Sequence, residues 1–272
     1  MRKPLFVRRR RGVELTPGGE LLAEYVLRAE ALLVYGRRAL ESGGDAQHGT
    51  LSLAASGIPG TYLLPSVLAR FHASHPAVEI EFEVSTSGGA LELVRRHQSE
   101  LAVVGGLPVP HEIESEPLLD DEIVLVGPPA LSDRRLKPKE IGELTWIYRE
   151  EGSATRAAVE AARWQAGVTV RQMLELPSWE AVKLAVEGGA GIAAISRFAL
   201  DLEVKAGKLV ILDVPRWRLS RVISVIRARD VPLTPPAERF LELLRAELRA
   251  RPRQPRAGGG AKRSVRRRRR PS

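Results

Sequence analysis

The amino-acid sequence predicts an α/β protein with a two-lobed body. Its 272 residues exceed the length of one average domain. Predicted strands and helices alternate in residues 50–126 and again in residues 145–226, which is the order expected of parallel α/β units. A long helical segment precedes the first alternation, and a helix that starts at Pro235 follows the second.

The composition favours a globular protein without cysteine chemistry. Hydrophobic residues make up 44% of the sequence, enough for a packed core. The absence of cysteine excludes disulfide bonds, thiolate metal sites and a cysteine nucleophile. No apolar run approaches the roughly 20 residues that span a bilayer, and the basic N-terminus is not followed by a secretory cleavage signal. We therefore expect no membrane partner and a cytoplasmic location.

Basic residues are concentrated at the two ends of the sequence. Residues 1–12 contain six Lys and Arg and residues 251–272 contain ten, with no acidic residue in either segment. Without these sixteen charges the net charge falls from +9 to −7, so residues 13–250 are mildly acidic. This distribution favours a polyanion as partner. Residues 251–272 are predicted to be a disordered basic tail, which either binds nucleic acid non-specifically or is a solvated extension.

A long helix with a coiled-coil pattern is predicted after the basic N-terminus. Thr16 and Pro17 form a helix-start signal, a hydroxyl cap followed by a proline at the first helical position. Spacings of four and three residues alternate along one apolar face, which comprises Leu22, Val26, Ala29, Leu33, Gly36 and Leu40. This is the pattern of a dimeric coiled-coil seam, and the alternative is an amphipathic helix packed on its own core. Residues 42–45 are interpreted as a linker.

Apolar runs and alternating patterns define the strands of the body, and amphipathic spacing defines its helices. The predicted strands are Thr50–Ala55, Val78–Val84, Leu101–Gly105, Leu118–Val126, Thr145–Arg149, Val170–Leu176, Gly191–Ile195, Leu209–Leu212 and Val222–Ile226. The predicted helices lie at Leu64–Phe71, around Leu91–Val94, from Gly152 to about Ala166, from Ser178, near Phe198–Val204 and from Pro235.

Three sets of stretches, in the same order, resemble the LysR-type transcriptional regulators. Residues 5–8 (Leu-Phe-Val-Arg) and 15–19 (Leu-Thr-Pro-Gly-Gly) resemble the wing of their winged helix and the start of their linker helix. Residues 49–65, which end in Tyr-Leu-Leu-Pro, resemble the opening of their effector domain. The segments that resemble the second lobe of that domain are residues 149–156, 178–183 and 188–192.

The resemblance implies a domain organisation. It implies a winged-helix remnant and a long linker helix, followed by two Rossmann-like lobes similar to type 2 periplasmic binding proteins. The chain is expected to cross between lobes near Gly127–Pro128 and to return near Asp230. The implied units are the wing remnant (1–15), the linker and dimerisation helix (16–44), lobe I (49–127, completed by 231–250) and lobe II (128–230).

The resemblance also implies a function. Family members bind promoter DNA as homodimers or homotetramers, and a small metabolite between the lobes adjusts the DNA contact. In the family a recognition helix precedes the position of Leu5, so we expect a misassigned start or a truncated gene here. The predicted contacts to the DNA backbone, which position a protein without specifying sequence, are Arg8, Arg9, Arg10 and Arg11. The alternative is a stand-alone solute- or effector-binding protein without DNA readout.

Candidate effector-binding residues follow the strands, because ligands of doubly wound sheets bind beyond the carboxyl ends of the strands. The candidates are Ser56, Gly57, Ser85, Thr86, Ser87 and Gly105 in the first lobe and Ser153, Thr155, Arg156 and Trp179 in the second. The N–H groups at the start of the helix after Gly152 favour an anion, and Arg156 can hold an oxyanion with two hydrogen bonds. We therefore predict a small anionic metabolite as effector.

Three of these candidates also have a purely structural interpretation. Ser153 can act only as a helix cap. Arg156 can be a surface charge that pairs with Glu150 or Glu151. Trp179 is interpreted as a packing residue rather than a surface on which a ligand stacks.

No set of residues in the sequence has the pattern of a catalytic site. His72 and His75 have the i, i+3 spacing of one helical face but no acidic neighbour, so a metal site is not favoured. Ser153 does not lie in a Gly-x-Ser-x-Gly elbow, and neither a P-loop nor a complete dinucleotide fingerprint occurs. The sequence therefore predicts a protein that is not an enzyme and uses no cofactor or metal.

Overall fold

The structure, a computed structural model, describes residues 4–10, 12–41, 46–132, 134–215, 217 and 219–251. The strands are β1 (Phe6–Arg8), β2 (Val13–Leu15), β3 (His48–Ser56), β4 (Ala77–Ser85), β5 (Leu101–Gly105), β6 (Ile113–Gly127), β7 (Thr145–Arg149), β8 (Gln172–Leu176), β9 (Ala193–Ser196), β10 (Val210–Ile211) and β11 (Leu219–Ala228). The α-helices are α1 (Pro17–Glu41), α2 (Leu64–Ser74), α3 (Ser87–Arg95), α4 (Pro138–Gly142), α5 (Ala154–Gln165), α6 (Trp179–Glu187), α7 (Asp201–Lys205) and α8 (Pro235–Ala250). A π-helical turn at Pro59–Leu63 and two 3₁₀ turns, Pro129–Leu131 and Arg197–Ala199, complete the elements. The predicted α/β class is confirmed, while the predicted linker at 42–45 and the tail after Arg251 lie outside the described residues.

The N-terminal segment is a β-hairpin followed by the long helix α1. Strands β1 and β2 pair antiparallel, with Phe6 opposite Leu15. Gly12 lies between them with a φ of +98°, a conformation that residues with a Cβ rarely adopt. Thr16 caps α1, because its Oγ1 accepts a hydrogen bond from the N–H of Gly19 at 3.0 Å.

Helix α1 contacts the body through one face and leaves the predicted seam exposed. Ala31 and Tyr35 are buried against Val231, and the Tyr35 hydroxyl donates a hydrogen bond to the His97 carbonyl at 3.0 Å. The exposed seam residues are Leu22, Val26, Ala29, Leu33 and Leu40. At roughly 100° per residue the two faces lie on opposite sides of the helix. The contact with the body therefore does not use the coiled-coil face.

One sheet of seven strands passes through most of the body. Its neighbours run in the order β10-β6-β11-β5-β3-β4, and β9 also pairs with β6. Strand β3 is parallel to β4 and β5, whereas β11 is antiparallel to β5 and β6. The parallel pair β7-β8 forms a second sheet, and a bridge from Trp146 to Ile192 connects it to the start of β9.

The connection between the lobes consists of paired strands rather than loops. Leu118 and Leu119 of β6 pack against the core beneath α2 and α8, which we assign to lobe I. The next residues of the same strand, Ile123–Val126, pair with β9 and belong to the cores of lobe II. The resemblance implied a crossing near Gly127–Pro128 and a return near Asp230. In the structure the apolar clusters change earlier, because β6 and β11 continue through the junction as a hydrogen-bonded pair.

Within the described ranges, no helix combines the length and the apolar character needed to cross a membrane.

Candidate functional site

A polar pocket lies between the lobes, where the ends of β3, β4 and β7 meet the starts of α3, α5 and α6. Its cavity volume is about 20 Å³. Its lining residues are Ser56, Gly57, Ile58, Ser85, Thr86, Ser87, Arg149, Ser153, Ala154, Thr155, Trp179 and Arg221. Eight of the ten candidates predicted from the sequence therefore lie together, and Gly105 and Arg156 do not line the pocket.

Glycines allow the two lobes to approach each other closely at this pocket. A Cβ on Gly57 would lie 3.3 Å from both Arg149 Nη1 and Trp179 Nε1, which belong to the opposite lobe. Gly152 has a φ of +84°, and a Cβ there would lie 3.3 Å from Thr86 Oγ1. Both distances are close to the limit for real Cβ contacts, so these positions leave little space for a larger residue.

Three helices present their N-terminal ends to the pocket. Thr86 caps α3 by accepting from the Gly89 N–H at 3.0 Å, and Ser178 caps α6 by accepting from the Ala181 N–H at 3.1 Å. Ser153 precedes α5, where its Oγ accepts a longer hydrogen bond of 3.5 Å from the Arg156 N–H. The N-terminal end of a helix carries partial positive charge and free N–H groups, so this arrangement favours an anion.

Arg221 is the buried cation of the pocket. Its Nε donates to Asp121 Oδ2 at 2.9 Å, and its Nη1 donates to Thr155 Oγ1 at 2.7 Å. The third nitrogen, Nη2, is buried and has no hydrogen-bond partner within the described residues. Asp121 is fully buried, and burial raises its pKa, although Arg221 and the hydroxyl of Ser196 oppose that rise. An unpaired buried guanidinium N–H costs free energy that an anionic ligand can recover.

Arg149 supplies a second guanidinium. Its Nε and Nη2 donate to the carboxylate of Glu150 at 2.6 and 2.5 Å, which leaves Nη1 directed toward Gly57. Its Cζ also lies 5.2 Å from the ring centroid of Trp179. Although burial opposes it, the hydrogen bonds from Arg149 lower the pKa of Glu150, so this pair remains ionised near neutral pH.

Gly105 and Arg156, both predicted to bind the effector, lie outside the lining of the pocket in the structure. A Cβ on Gly105 would lie 2.8 Å from the Cζ of Arg221. The absence of a side chain at Gly105 therefore leaves room for the Arg221 guanidinium. Arg156 donates to Glu160 at 3.0 Å and to Glu175 at 2.6 Å. Its partners are thus neither Glu150 nor Glu151, and its guanidinium is neutralised outside the pocket.

Trp179 both packs and lines the pocket. It is 7% exposed and belongs to a core cluster of lobe II, in keeping with its interpretation as a packing residue. Its Nε1 nevertheless lies near Gly57 at the pocket wall. A role in ligand binding stays a prediction.

Two arginines of the pocket, Arg149 and Arg221, were not among the effector-binding residues predicted from the sequence. Arg149 is the last residue of a predicted strand, and a charge at the carboxyl end of a strand was an available signal. Arg221 gave no local signal, because its partner Asp121 is 100 residues away in the sequence. Only the pairing of β6 with β11 brings these two residues together.

A hydrogen bond joins the lobes beside the pocket. The Tyr62 hydroxyl of lobe I donates to Glu180 Oε1 of lobe II at 2.7 Å. Lys183, which is 4% exposed, donates to Glu180 at 2.8 Å and to Glu203 at 2.6 Å. Burial raises the pKa of Tyr62 to about 12, so its hydroxyl remains a neutral donor near neutral pH.

The arginines predicted to contact DNA lie on the N-terminal hairpin. Arg8, Arg9 and Arg10 are exposed, and Arg9 pairs with Glu14 at 2.9 Å. Arg11 lies outside the described residues. Among the residues that the structure describes, no group of His, Asp and Glu is arranged to hold a metal ion.

A polar pocket between two α/β lobes that are joined by crossing strands defines a two-lobed small-molecule-binding domain. The profile of the LysR substrate binding domain matches residues 44–249. The chain belongs to the LysR-type transcriptional regulators, as the resemblance in the sequence predicted.

Named relatives of this chain are transcriptional regulators. A probable RuBisCO transcriptional regulator of Synechocystis sp. PCC 6803 is 31% identical over 233 residues, which cover 82% of this chain and 67% of the relative. The HTH-type transcriptional regulator CbbR of Rhodospirillum rubrum is 29% identical over 248 residues, which cover 90% of this chain and 82% of the relative.

Solved structures share the fold. The regulatory domain of CcmR from Synechocystis PCC6803, in complex with 2-PG, has a TM-score of 0.68 at 27% identity and covers 74% of this chain and 98% of that domain. A full-length variant of OxyR from Pseudomonas aeruginosa has a TM-score of 0.67 at 18% identity and covers 90% of this chain and 80% of that chain. The predicted similarity of the two lobes to a ligand-binding domain is confirmed at the level of the fold.

Proposed function

We propose that this LysR-type regulator binds a small anionic effector in the pocket between its lobes. The observation that supports this most directly is the buried Nη2 of Arg221, which has no hydrogen-bond partner within the described residues and borders the pocket. Arg149 Nη1 and the N-terminal ends of α3, α5 and α6 add further donors around the same space. An oxyanion can accept hydrogen bonds from several of these donors at once.

The pocket is small in this structure. Its cavity volume of about 20 Å³ holds about one water molecule or a comparably small ion, so a larger effector fits only when the side chains that line the pocket move apart. The CcmR domain, 27% identical to this chain, was solved in complex with 2-PG. Within this proposal, 2-PG and inorganic phosphate are therefore suitable probes for the pocket.

We further propose that the protein acts in the cytoplasm on promoter DNA as a homodimer or homotetramer assembled through α1. The exposure of the seam residues Leu22, Val26 and Leu33, on the helix face opposite the contact with the body, supports the dimer. The exposed arginines of the hairpin support a contact with phosphates, which positions a protein on DNA without reading its sequence.

Titration calorimetry with 2-PG, inorganic phosphate and glycerol tests the effector proposal. We expect at least one anion to bind and glycerol not to bind. Arg221→Gln and Arg149→Gln are expected to lose this binding, whereas Arg156→Gln, which removes a guanidinium outside the pocket, is expected to keep it. Binding of glycerol in the absence of any anion binding contradicts the proposal.

A further inference from the structure

A second, larger cavity lies on lobe I, away from the pocket between the lobes. It has a volume of about 350 Å³ and lies between α8 and the strands β5, β6 and β11. The floor is apolar and consists of Leu101, Val225, Leu233 and Leu241. The rim is charged and consists of Glu114, Glu116, Arg227, Glu238, Glu242 and Arg245. We refer to these ten residues as the α8 groove.

The rim of the α8 groove has an excess of negative charge. Arg245 is neutralised by Glu116 through hydrogen bonds of 2.9 and 2.5 Å, and Arg227 is neutralised by Glu114 at 2.6 Å. Hydrogen bonding to Arg245 lowers the pKa of Glu116, so that this carboxylate stays ionised near neutral pH. Glu238 and Glu242, the other two carboxylates of the rim, form no ion pair with Arg227 or Arg245.

The surroundings of these two carboxylates differ. Glu242 pairs with Arg239 at 2.7 Å, and Arg239 is not part of the groove. Glu238 has no ion pair within the described part of the chain. The α8 groove therefore offers carboxylate oxygens above an apolar floor.

Long basic side chains match this combination of surfaces. The methylene stem of Arg or Lys covers apolar surface while its charged head reaches a carboxylate. A segment with several such side chains follows α8 directly, since residues 252–272 contain nine Lys and Arg and no acidic residue. The wall of the groove contributed by α8 consists of Glu238, Leu241, Glu242 and Arg245, which lie on one face of that helix.

We propose that the α8 groove binds the basic tail, residues 252–272, of its own chain. Glu238 lies twelve residues before the end of α8 at Ala250, a distance of about 18 Å at the helical rise, and about six extended residues span it. Residues 262–270 can therefore return along α8 and reach the groove. The tether supplies a high effective concentration, so weak ionic contacts suffice for binding.

This contact has a consequence for the tail. A tail that is bound in the groove holds its guanidinium groups against carboxylates, so they are not available to a polyanion. Because the contact is ionic and partly exposed, salt weakens it. The groove therefore limits non-specific contact of the tail with nucleic acid at low ionic strength.

A dye on the tail of the full-length chain tests the proposal. Because the chain has no cysteine, Ser264→Cys accepts a single fluorophore. In the otherwise unchanged chain we expect a high dye anisotropy at about 0.05 M NaCl that falls at about 0.5 M NaCl. In Glu238→Gln/Glu242→Gln the anisotropy is expected to be low at both salt concentrations. Glu238→Gln alone, which keeps the Glu242–Arg239 pair, is expected to give an intermediate value.

A matched control tests whether the tail binds the α8 groove itself or any acidic surface of the body. Glu79→Gln/Glu83→Gln makes the same change in charge on two exposed residues of β4, at the opposite edge of the sheet from β6. We expect this variant to behave as the unchanged chain. The proposal fails if the groove variant keeps the salt-sensitive anisotropy, or if the control loses it to the same extent. Unfolding temperatures of both variants, which change only exposed or half-buried side chains, verify that each is folded.

Discussion

Arg221 and Asp121 are directly paired residues on β11 and β6, the two strands that cross between the lobes, and their side chains form a buried ion pair of 2.9 Å. The Nη2 of the same guanidinium is buried at the pocket and has no hydrogen-bond partner among the residues that the structure describes. One side chain therefore belongs both to the connection between the lobes and to the proposed effector site. A ligand that binds Nη2 therefore contacts a side chain of one of the strands that cross between the lobes.

Asp121→Asn is expected to destabilise the fold strongly. It leaves the Arg221 charge buried without its counter-ion, and breaking a buried pair typically costs about 3–5 kcal/mol. Urea unfolding monitored by circular dichroism measures the loss. Glu160→Gln, which breaks the more exposed pair with Arg156, is the control and is expected to cost at most about 1 kcal/mol. Equal losses in the free energy of unfolding for the two variants would contradict a special stabilising role of the buried Arg221–Asp121 pair.

Tyr62→Phe is expected to weaken anion binding without preventing folding. It removes the 2.7 Å hydrogen bond from lobe I to Glu180 of lobe II, and a loss of about 0.5–1.5 kcal/mol in the contact between the lobes that form the pocket lowers affinity roughly two- to tenfold. Calorimetry with the anion bound by the unchanged protein measures the effect. Tyr25→Phe removes an exposed hydroxyl from α1, and its affinity should stay the same. An unaltered affinity in Tyr62→Phe argues against a contribution of this hydrogen bond to anion binding.

Gly57→Ala is expected to reduce the affinity for an anion. The added methyl lies 3.3 Å from Arg149 Nη1 and Trp179 Nε1, so either the arginine shifts or the lobes close less completely. A loss of roughly tenfold corresponds to about 1.4 kcal/mol, the scale of a modest packing conflict. Gly36→Ala adds the same methyl where no atom lies within 4 Å, and its affinity for the anion should not change. The comparison uses the same calorimetric titration.

Leu33→Glu is expected to abolish dimerisation through α1. Leu33 is 76% exposed on the predicted seam, and a carboxylate buried in a coiled-coil interface is strongly unfavourable. Sedimentation velocity measures the oligomeric state. Leu202→Glu places the same charge on an equally exposed leucine of α7, 79% exposed, and should leave the assembly unchanged. A dimer that persists in Leu33→Glu excludes this seam as the interface.

The ionised carboxylate of Glu116 is expected to stabilise the folded protein at neutral pH and to lose this effect in acid. Its hydrogen bonds with Arg245 lower its pKa in the folded state, so the folded protein binds this proton less tightly than the unfolded chain does. The contribution is present above the ordinary pKa of a glutamate and is lost as the pH falls through the lowered pKa. Urea unfolding at neutral and acidic pH should therefore show a smaller pH dependence in Glu116→Gln. An identical pH dependence in the variant and the unchanged protein contradicts this linkage.

Much of the fold was predictable because its signals are local. The alternation of Val78, Ile80 and Phe82 with glutamates describes β4, and the Thr16–Pro17 signal marks the start of α1. The hydroxyls and glycines of the pocket were predictable for a similar reason, since they follow the carboxyl ends of strands. The boundaries were less accurate: β11 begins at Leu219, three residues before the predicted Val222, because pairing with β6 extends it.

The sequence by itself determined the α/β class and eight residues of the pocket lining, because periodicity, capping and strand-end positions are properties of neighbouring residues. The family was identified from the resemblance of its motifs to LysR-type regulators. Only the tertiary structure decided which charges face the pocket. Arg156, the arginine chosen from the sequence, is neutralised by Glu160 and Glu175 outside it. Arg221 enters the pocket because the pairing of β11 with β6 places it beside Asp121, 100 residues away. Spacing along a chain predicts which face of an element a side chain occupies, but its ion-pair partner depends on which elements the fold brings together.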